Sequence, residues 1–502
     1  HNSEYVGAYF ETRKFLSGFT GSAGTLVVGL EEAALFTDGR YYIQAKRELC
    51  GTGIRLMKMG MEGTPSVFSY VKSLLGDSHK KIAMDFRTVT AKDGKKYAEA
   101  AGLLDREYGN IIWENRPAMS CEPVFELDIR YAGEDRQSKI SRIREYMESV
   151  QAKHHIVTTL DDIAWTLNIR GNDILYNPMV LSYLYISMEE VILYSDKNKF
   201  SGELTKRLLN DGVILSDYEA FYDKLAGLFG SVLLDKDRTN YLADSMLPET
   251  VLRVERANPE ILMKAVKNET EIKNIRQAHI KDGAAVTKFI YWLKNAVKTG
   301  TLTERDAADY LEMLRKEQDG YIEPSFTTIS AYNANAAMMH YNPYEADAAV
   351  LKPQGILLVD SGGQYLEGTT DITRTVALGE VCSEIKSQYT AVLRGMLNLS
   401  NAKFLKGCIG MNLDILARGP LWELGLDYRC GTGHGVGYLL GVHEPPNGFR
   451  WKRVPERDDG CILLPGMITT DEPGVYIDGS HGIRIENELL TVYDVTNEYG
   501  DF

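Results

Sequence analysis

Short apolar runs that end in a turn recur along the whole chain and alternate with helix-like stretches. The first are residues 24–29 and 33–42, and the pattern returns at residues 155–159, 190–194 and 212–215. This alternation predicts mixed α/β units, because an apolar strand needs a second layer of structure to cover it. A chain of 502 residues is too long for one ordinary core, so we expect several domains.

The pattern divides the chain into three regions, which we predict to be residues 1–121, 122–258 and 259–502. The first two regions resemble each other. In each, a similar segment (residues 15–22 and 164–171) precedes a pair of strands. This similarity indicates two duplicated α/β domains, with two unrelated α/β domains as the alternative.

The third region has a different pattern. A long amphipathic helix is predicted over residues 269–297, and a capping box of Thr301 and Glu304 begins a second helix. Short strands and glycine turns follow, with helices near residues 383–402 and 411–424. Nearly all candidate chemistry lies here, so we expect this region to be the catalytic domain.

The composition disfavours several classes of protein. No run of about 18 apolar residues occurs, so no membrane span is expected. A net charge of −14 argues against nucleic-acid binding. The six cysteines form no CxxC pair, which favours a reducing, cytoplasmic location over a disulfide framework. The first residues lack both a secretory signal and an initiator methionine, so we expect the chain to begin within a longer one.

Two aspartates are predicted to lie on neighbouring strands. The buried strand of residues 355–360 ends in Asp360, and a returning strand, residues 369–376, carries Asp371. Two adjacent carboxylates repel each other unless one is protonated or a cation bridges them. The alternative is that each aspartate only closes its own turn.

A glycine-rich segment surrounds His434. Residues 431–437 do not form a dinucleotide fingerprint, because Val436 and Tyr438 occupy the places of its last glycine, and no GK[ST] motif follows. We therefore interpret the glycines as backbone with unusual dihedral angles that lets His434 approach a ligand closely. A purely structural histidine is the alternative.

Two glutamates, like the two aspartates, are predicted to lie on or at the end of buried strands. An apolar strand delivers Glu472 into a Pro-Gly turn, and the next predicted strand, residues 482–492, places Arg484, Glu486 and Glu488 on one face. A carboxylate on a buried sheet face is costly unless it is paired or bound to metal.

Together these residues form a hard, oxygen-rich ligand set that suits Mn²⁺ or Co²⁺, with Zn²⁺ or Fe²⁺ as alternatives. Five ligands exceed the needs of one tetrahedral ion but suit two ions that share a bridging water. Such a water becomes a nucleophile near neutral pH, so the set predicts a hydrolase, most simply of peptide bonds. The five ligands are Asp360, Asp371, His434, Glu472 and Glu486.

At these positions the chain resembles the aminopeptidase P family of pita-bread metallopeptidases, in its long three-domain cytosolic form. The resemblance implies two creatinase-like α/β domains followed by a catalytic α+β pita-bread domain. It covers nearly the whole chain. The segments that carry it are 15–24 (FLSGFTGSAG), 37–41 (TDGRY), 160–171 (LDDIAWTLNIRG), 359–365 (VDSGGQY), 368–375 (GTTDITRT), 431–437 (GTGHGVG), 442–445 (VHEP), 470–474 (TDEPG) and 482–487 (GIRIEN).

The resemblance also implies a role for each ligand. Asp360 would hold one metal, Asp371 and Glu486 would bridge both, and His434 and Glu472 would hold the second. A metal-bridging hydroxide would attack the peptide carbonyl, with Glu472 as the proton shuttle. His434 and Glu472 would also contact the substrate.

Further residues match substrate-binding positions of the family. His340 and His443 would hydrogen-bond the scissile carbonyl and stabilise the tetrahedral intermediate. Arg40 would contact the substrate, and Arg484 would support the metal ligands from behind. The alternatives are that His340 is an ordinary loop histidine and that Arg40 only closes its turn.

One position departs from the family pattern. Proline-specific members commonly have a histidine four residues before the metal histidine, and this chain has Cys430 there. We therefore expect metal-dependent hydrolysis to be retained and the proline preference to be weakened. Cys430 would then border the metal ligands as a small apolar residue.

The predicted reaction is removal of the N-terminal residue from peptides with proline in the second position. The alternatives are a prolidase that cleaves Xaa-Pro dipeptides and an inactive peptide-binding or protein-binding module of the same fold. The resemblance implies a homodimer, although the chain ends soon after its last predicted strand. We therefore expect a C-terminal dimerisation segment of relatives to be absent.

Overall fold

The computed structural model describes residues 3–76, 79–345, 347–453 and 460–502. The chain divides into two compact units, one of His1–Asp38 with Ala45–Ile261 and one of Gly39–Gln44 with Leu262–Phe502. The short segment Gly39–Gln44 thus belongs with the C-terminal half. The three-region division at residues 121 and 258 stays a prediction. Among the described residues, none of the helices combines the length and apolar character that crossing a bilayer requires.

The first unit is built from short strands and helices in alternation. Its strands are β1 (Thr25–Val28), β2 (Ala33–Thr37), β3 (Arg55–Lys58), β4 (Ile82–Met84), β5 (Leu103–Asp105), β6 (Phe125–Glu126), β7 (His154–Val157), β8 (Ile169–Arg170), β9 (Ser182–Ser187), β10 (Val191–Ser195), β11 (Val213–Ser216), β12 (Ser231–Leu234) and β13 (Leu252–Glu255). Its helices are α1 (Thr12–Ser17), α2 (Tyr42–Glu48, whose first three residues belong to the second unit), α3 (Val67–Leu75), α4 (Ala91–Ala98), α5 (Gly109–Ile112), α6 (Ile129–Ala132), α7 (Arg136–Ser149), α8 (Leu160–Leu167), α9 (Gly202–Asn210), α10 (Ala220–Ala226) and α11 (Tyr241–Met246).

Two sheets organise this unit. A three-stranded sheet has the order β1-β2-β3, and a six-stranded sheet has the order β11-β10-β9-β7-β12-β13. In each sheet a short helix precedes an antiparallel pair, α1 before β1–β2 and α8 before β9–β10. The similarity between the two N-terminal regions therefore extends from sequence to topology.

The second unit carries the longer helices. Helix α12 (Pro259–Ala265) begins in the first unit, and α13 (Glu269–Ala296), α14 (Glu304–Lys316), α15 (Ser383–Ser400) and α16 (Gly410–Trp422) follow. The strands are β14 (Tyr321–Pro324), β15 (Ile329–Tyr332), β16 (Ile356–Ser361), β17 (Gly363–Tyr365), β18 (Gly368–Thr369), β19 (Ile372–Ala377), β20 (Gly433–Gly435), β21 (Glu444–Phe449), β22 (Ile468–Asp471), β23 (Gly474–Ile477), β24 (His481–Arg484), β25 (Asn487–Leu490), β26 (Thr496–Asn497) and β27 (Gly500–Asp501).

Strand β16 is central to this unit because its two faces pack against different helix pairs. Leu357 and Val359 join a core with α13 and α14, whereas Ile356 joins a core with α15, α16, β23 and β24. The strand is buried throughout. It therefore ends at Asp360 and Ser361 within the protein interior.

Helix α14, the second helix predicted for the third region, begins differently from the prediction. The N-cap is Thr303, not Thr301: its Oγ1 accepts from the N–H of Asp306 at 3.2 Å, and Asp306 accepts from the N–H of Thr303 at 2.8 Å. Glu304 is the first helical residue and turns inward. It accepts from the Tyr332 N–H at 2.6 Å and from the Tyr341 hydroxyl at 2.7 Å. Glu304, the acid expected in the capping box, thus binds buried donors that are distant in sequence instead of capping the helix.

Two strand predictions also need correction. Strands β16 and β19 are antiparallel neighbours, as predicted, but the strand predicted over residues 369–376 is divided into β18 and β19, and Asp371 lies between these two strands. The strand predicted over residues 482–492 is two strands, because β24 pairs with β23 whereas β25 pairs with β22. Between them the N–H of Glu486 donates to the Thr373 carbonyl at 3.1 Å, which takes the chain from one sheet to the other.

Candidate active site

Asp360 lies opposite Thr373 where β16 pairs with β19. Its side chain is buried, and Arg484 donates to Oδ2 at 2.5 Å. The second oxygen, Oδ1, has no hydrogen-bond partner among the described residues. A buried carboxylate oxygen without a donor is costly, so this atom indicates a place for a cation.

Asp371, His434 and Glu486 each direct one donor atom to a common point, and these three atoms lie within 4.8 Å of one another. His434 Nε2 is 3.5 Å from Asp371 Oδ2 and 3.3 Å from Glu472 Oε1. Asp371 Oδ1 also lacks a hydrogen-bond partner among the described residues. The structure therefore groups four of the predicted ligands, and Asp360 acts on the same group through charge.

The electrostatics of this group favour bound cations. Burial raises the pKa of Asp371 well above its ordinary value, and the charges of Asp360, Glu472 and Glu488 raise it further. Burial and the charge of Asp371 raise the pKa of Glu486 in the same way. Crowded buried carboxylates ionise only if positive charge compensates them. A pair of divalent ions would supply that charge.

His434 is oriented by its neighbours. Its N–H donates to Thr470 Oγ1 at 2.9 Å, and Nδ1 lies 2.9 Å from the Gly435 carbonyl oxygen. A carbonyl only accepts, so Nδ1 carries a proton, and Nε2 is the ring nitrogen that faces the carboxylates. Nε2 is therefore the ring atom that a metal at this site would contact.

The glycines around His434 serve a different purpose from the predicted one. None of the described glycines of residues 431–437 has a positive φ. A Cβ on Gly433 would lie 1.8 Å from the Thr470 carbonyl oxygen, and one on Gly435 would lie 2.2 Å from that of Glu444. The glycines are needed because β20 is packed closely between β21 and β22, and not for unusual dihedral angles.

Glu472 follows β22 directly. Its N–H donates to the Thr432 carbonyl at 2.8 Å, and its Oε1 accepts from Thr470 Oγ1 at 3.1 Å. Thr470 thus contacts both His434 and Glu472. Thr470 was not among the predicted site residues, although its place two residues before Glu472 puts it on the same face of a strand.

Thr373 has a similar role for Glu486. Its hydroxyl donates to Glu486 Oε2 at 2.6 Å and accepts from Arg484 Nε at 3.2 Å. Arg484 also donates to the Met339 carbonyl at 3.3 Å and to the Tyr476 hydroxyl at 2.7 Å. Arg484 thus ties the carboxylate group to the backbone next to His340.

The remaining predicted residues border this group. The ring of His443 packs edge-on against that of His434, with centroids 4.3 Å apart. His340 Nδ1 lies 2.6 Å from the Tyr41 hydroxyl, and the Arg40 guanidinium lies 5.2 Å from the centre of the Tyr41 ring. Tyr41 was not among the predicted site residues, although it directly follows Arg40.

Cys430 packs beside Tyr476 against the core that includes Ile483 and Tyr428. Burial raises the pKa of its thiol to about 12, and the charge of Glu472 adds to the shift. The side chain is therefore a neutral thiol at neutral pH.

His279 and Glu488 form an ion pair next to the site, and this pair was not predicted. The two side chains approach to 3.3 Å between His279 Nε2 and Glu488 Oε1. Burial alone would lower the pKa of His279, but Glu488 raises it to about 9. No sequence pattern links a histidine in α13 to a glutamate in β25.

Family models match almost the whole chain. The model described as "Metallopeptidase family M24" matches residues 273–492, and two described as "Creatinase/Prolidase N-terminal domain" match residues 8–112 and 115–271. A protein of Laccaria bicolor named "Probable Xaa-Pro aminopeptidase P" is 38% identical over 100% of this chain and 79% of its own length. One of Botryotinia fuckeliana with the same name is 39% identical over 98% of this chain and 77% of its own length.

The chain belongs to the aminopeptidase P family. The predicted family is confirmed, as are the two creatinase-like domains followed by a catalytic domain. A crystal structure of the X-prolyl aminopeptidase from Caenorhabditis elegans, described as a cytosolic enzyme with a di-nuclear active site, matches with a TM-score of 0.93 and 34% identity. The match covers 99% of this chain and 82% of the worm chain.

A prolidase from Pyrococcus horikoshii is more distant, with a TM-score of 0.55 and 25% identity. The match covers 95% of the prolidase but 71% of this chain. The match with the worm protein therefore extends over more of this chain than the match with the prolidase.

Proposed function

We infer that this chain is a metalloaminopeptidase that releases the N-terminal residue from peptides with proline in the second position. The observation that carries this function is the convergence of Asp371, His434 and Glu486 in a chain that belongs to the aminopeptidase P family. A prolyl bond is a tertiary amide without an N–H, so ordinary strand-like recognition of the peptide fails and a dedicated site is required.

We propose two divalent ions at this site, with Mn²⁺ as the preferred metal and Co²⁺ or Zn²⁺ as alternatives. The free oxygens Asp360 Oδ1 and Asp371 Oδ1 and the ring nitrogen His434 Nε2 fit such ions. Asp360 would hold one ion, His434 and Glu472 the other, and Asp371 and Glu486 both. When bound, the ions polarise the scissile carbonyl and supply a hydroxide nucleophile near neutral pH.

The proposed proton path uses Glu472, whose carboxylate lies beside His434. Glu472 takes the proton that the attacking water gives up and donates it to the leaving prolyl nitrogen. His340 and His443 hydrogen-bond the carbonyl oxygen as it gains negative charge. His434 and Glu472 border the same substrate atoms.

In this proposal neither Arg40 nor Arg484 takes part in proton transfer: Arg40 binds the substrate, and Arg484 supports a metal ligand. Arg40 contacts the substrate from the Gly39–Gln44 segment, which belongs to the catalytic unit. Arg484 holds Asp360 in place through the 2.5 Å contact with Oδ2. The neutral Cys430 thiol replaces a hydrogen-bonding histidine, so we expect a weaker preference for proline.

The decisive experiment compares one Xaa-Pro-Yaa tripeptide with the matched Xaa-Ala-Yaa tripeptide and the Xaa-Pro dipeptide. The protein is first stripped with chelator and then reconstituted with Mn²⁺. We expect cleavage of the prolyl tripeptide, and activity on the dipeptide alone would instead identify a prolidase. A protein with neither bound metal nor peptidase activity after this treatment would be identified as a binding module. The Cys430→His variant should raise the ratio of prolyl to alanyl cleavage.

The Asp371→Asn variant tests whether the activity depends on the proposed metal ligands. The change removes one proposed bridging ligand while keeping the size of the side chain. We expect kcat/KM to fall by at least about 1,000-fold and the bound metal to drop below two ions per chain. Unchanged metal content with unchanged activity would remove Asp371 from the proposed ligand set.

The remaining assignments are proposals about the whole protein. We propose a cytoplasmic enzyme, in keeping with the description of the worm relative and with six cysteines that are all free. We also propose a homodimer and domain boundaries near residues 121 and 258. Neither a nucleic acid nor a membrane is a proposed partner.

A further inference from the structure

Tyr41 lies in Gly39–Gln44, the short segment that belongs to the catalytic unit although it comes from the N-terminal region of the sequence. The segment is held on both sides of this tyrosine. A Cβ on Gly39 would lie 2.7 Å from the Arg429 carbonyl oxygen, and Ile43 packs against the core that contains Met338 and Tyr341. Tyr41 itself is only 2% exposed. Its ring is therefore fixed by close packing before any substrate binds.

The hydroxyl of Tyr41 lies 2.6 Å from His340 Nδ1, and the two rings meet edge-on with centroids 4.9 Å apart. The backbone around His340 is held independently, because Arg484 donates to the Met339 carbonyl and Tyr341 donates to Glu304. His340 thus has a fixed backbone and one fixed ring nitrogen. The orientation of its other nitrogen, Nε2, follows from these two constraints.

The position of the proton follows from Arg40. Its guanidinium lies over the face of the Tyr41 ring, 5.2 Å from the centre. A cation over a phenol draws electron density from the ring and makes the hydroxyl a better hydrogen-bond donor. A donating hydroxyl leaves Nδ1 of His340 as the acceptor, so the proton of the neutral imidazole resides on Nε2.

We propose that Tyr41 is a positioning residue that holds His340 in the Nε2–H tautomer and couples it to Arg40. The inference rests on the proposed function, because an Nε2–H group is what a developing oxyanion requires from His340. One tyrosine thus supports two predicted substrate contacts, through a hydrogen bond on one side and its ring face on the other.

Tyr41→Phe removes the hydroxyl and keeps the ring. We expect kcat on a prolyl tripeptide to fall about 5- to 30-fold with KM changed less than about twofold, because the lost bond matters most as the oxyanion forms. Tyr70→Phe is the matched control, since Tyr70 is also a buried tyrosine with an arginine over its ring, and its hydroxyl accepts a hydrogen bond from Arg55 at 2.9 Å. Its kcat should equal that of the wild type. A Tyr41→Phe enzyme with wild-type kcat would overturn the proposal.

A double-mutant cycle tests whether Tyr41 acts through His340. In a His340→Gln background the added Tyr41→Phe change should leave kcat within about twofold, because the group that it positions is already gone. Two losses that multiply would show that Tyr41 acts independently and would contradict the proposed coupling.

The tautomer is measured directly in the wild type by ¹⁵N–¹H correlation spectra of histidine-labelled, Zn²⁺-loaded protein. The His340 signal is the one that disappears in His340→Gln. We expect an Nε2–H ring in the wild type and a mixture of tautomers in Tyr41→Phe. An Nδ1–H ring in the wild type, or an unchanged ring in the variant, would overturn the proposal. Because these spectra need no turnover, they remain decisive even if the wild type cleaves no prolyl peptide, a result that would defeat only the proposed function.

Discussion

At the scale of single residues, the acidic site depends on side chains that contact no proposed metal. Thr470 contacts both His434 and Glu472, and Thr373 contacts both Glu486 and Arg484. Each threonine bonds two functional groups at once, which limits how either can rotate. The site is thus preorganised by short neutral side chains beside its charged ones.

His279 yields a prediction at this scale, because Glu488 raises its pKa from 6.5 to about 9. A raised pKa means that the pair stabilises the fold below about pH 6.5 and that this stability is lost as the pH rises through 9. We expect His279→Asn to lower the free energy of unfolding by about 1–3 kcal/mol at pH 6 and by much less at pH 9.5. Urea unfolding at the two pH values measures the difference.

His79→Asn is the control for this prediction, because His79 is exposed. It should unfold like the wild type at both pH values. A loss of stability in His279→Asn that is equal at pH 6 and pH 9.5 would show that packing, and not the charge of His279, stabilises this region.

At the scale of elements, the N-terminus of α14 shows that a capping-box pattern in the sequence does not always form the cap. The segment offers two threonines spaced two apart, each followed three residues later by an acid, and only Thr303 caps the helix. Glu304 is unavailable for capping because it accepts from the N–H groups of Tyr332 and Ala349. Those donors belong to chain segments that the local pattern does not include.

We therefore predict that Thr303→Ala destabilises the protein by about 1 kcal/mol, the usual loss for an N-cap, and that Thr301→Ala, which removes no helix cap, destabilises it less. Chemical denaturation measures the free energy of unfolding of the two variants, whose substituted residues are only two positions apart. Equal effects of the two substitutions would contradict the observed cap.

At the scale of the whole molecule, the stability of the second unit depends on the state of its buried carboxylates. The second unit buries a crowded group of carboxylates, and both burial and the charges of the neighbouring carboxylates raise the pKa values of Asp371 and Glu486 well above their ordinary values. Ions bound only to the folded state would stabilise it by mass action. Metal and folding are therefore expected to be linked in this unit.

Chelator treatment should lower the Tm of the protein by several degrees, and Mn²⁺ at about 100 times its Kd should restore roughly 2.7 kcal/mol of stability. The Asp371→Asn variant should show a much smaller response to either treatment. Differential scanning calorimetry under the two conditions provides the measurement. A Tm that does not respond to chelator or Mn²⁺ would argue against metal binding in the folded state.

Local pattern was sufficient for much of this protein. Helix α13 has the predicted extent to within one residue, because its apolar period and Asn268 cap are both local. The acidic residues at strand ends were also recognisable, since a buried strand that stops at a carboxylate is an unusual pattern. The α/β units of the N-terminal half followed from the same periodicity, whereas the α+β class of the catalytic domain was implied by the resemblance to the aminopeptidase P family.

Only the tertiary structure decided how these pieces combine. It breaks the strand predicted over residues 482–492 so that Glu486 can reach Thr373, and it uses the glycines beside His434 for close strand packing. It also brings Tyr41 to His340, which is 299 residues away in sequence. Local periodicity determines strands, helices and strand-end carboxylates, whereas long-range pairing and close packing determine which of them meet.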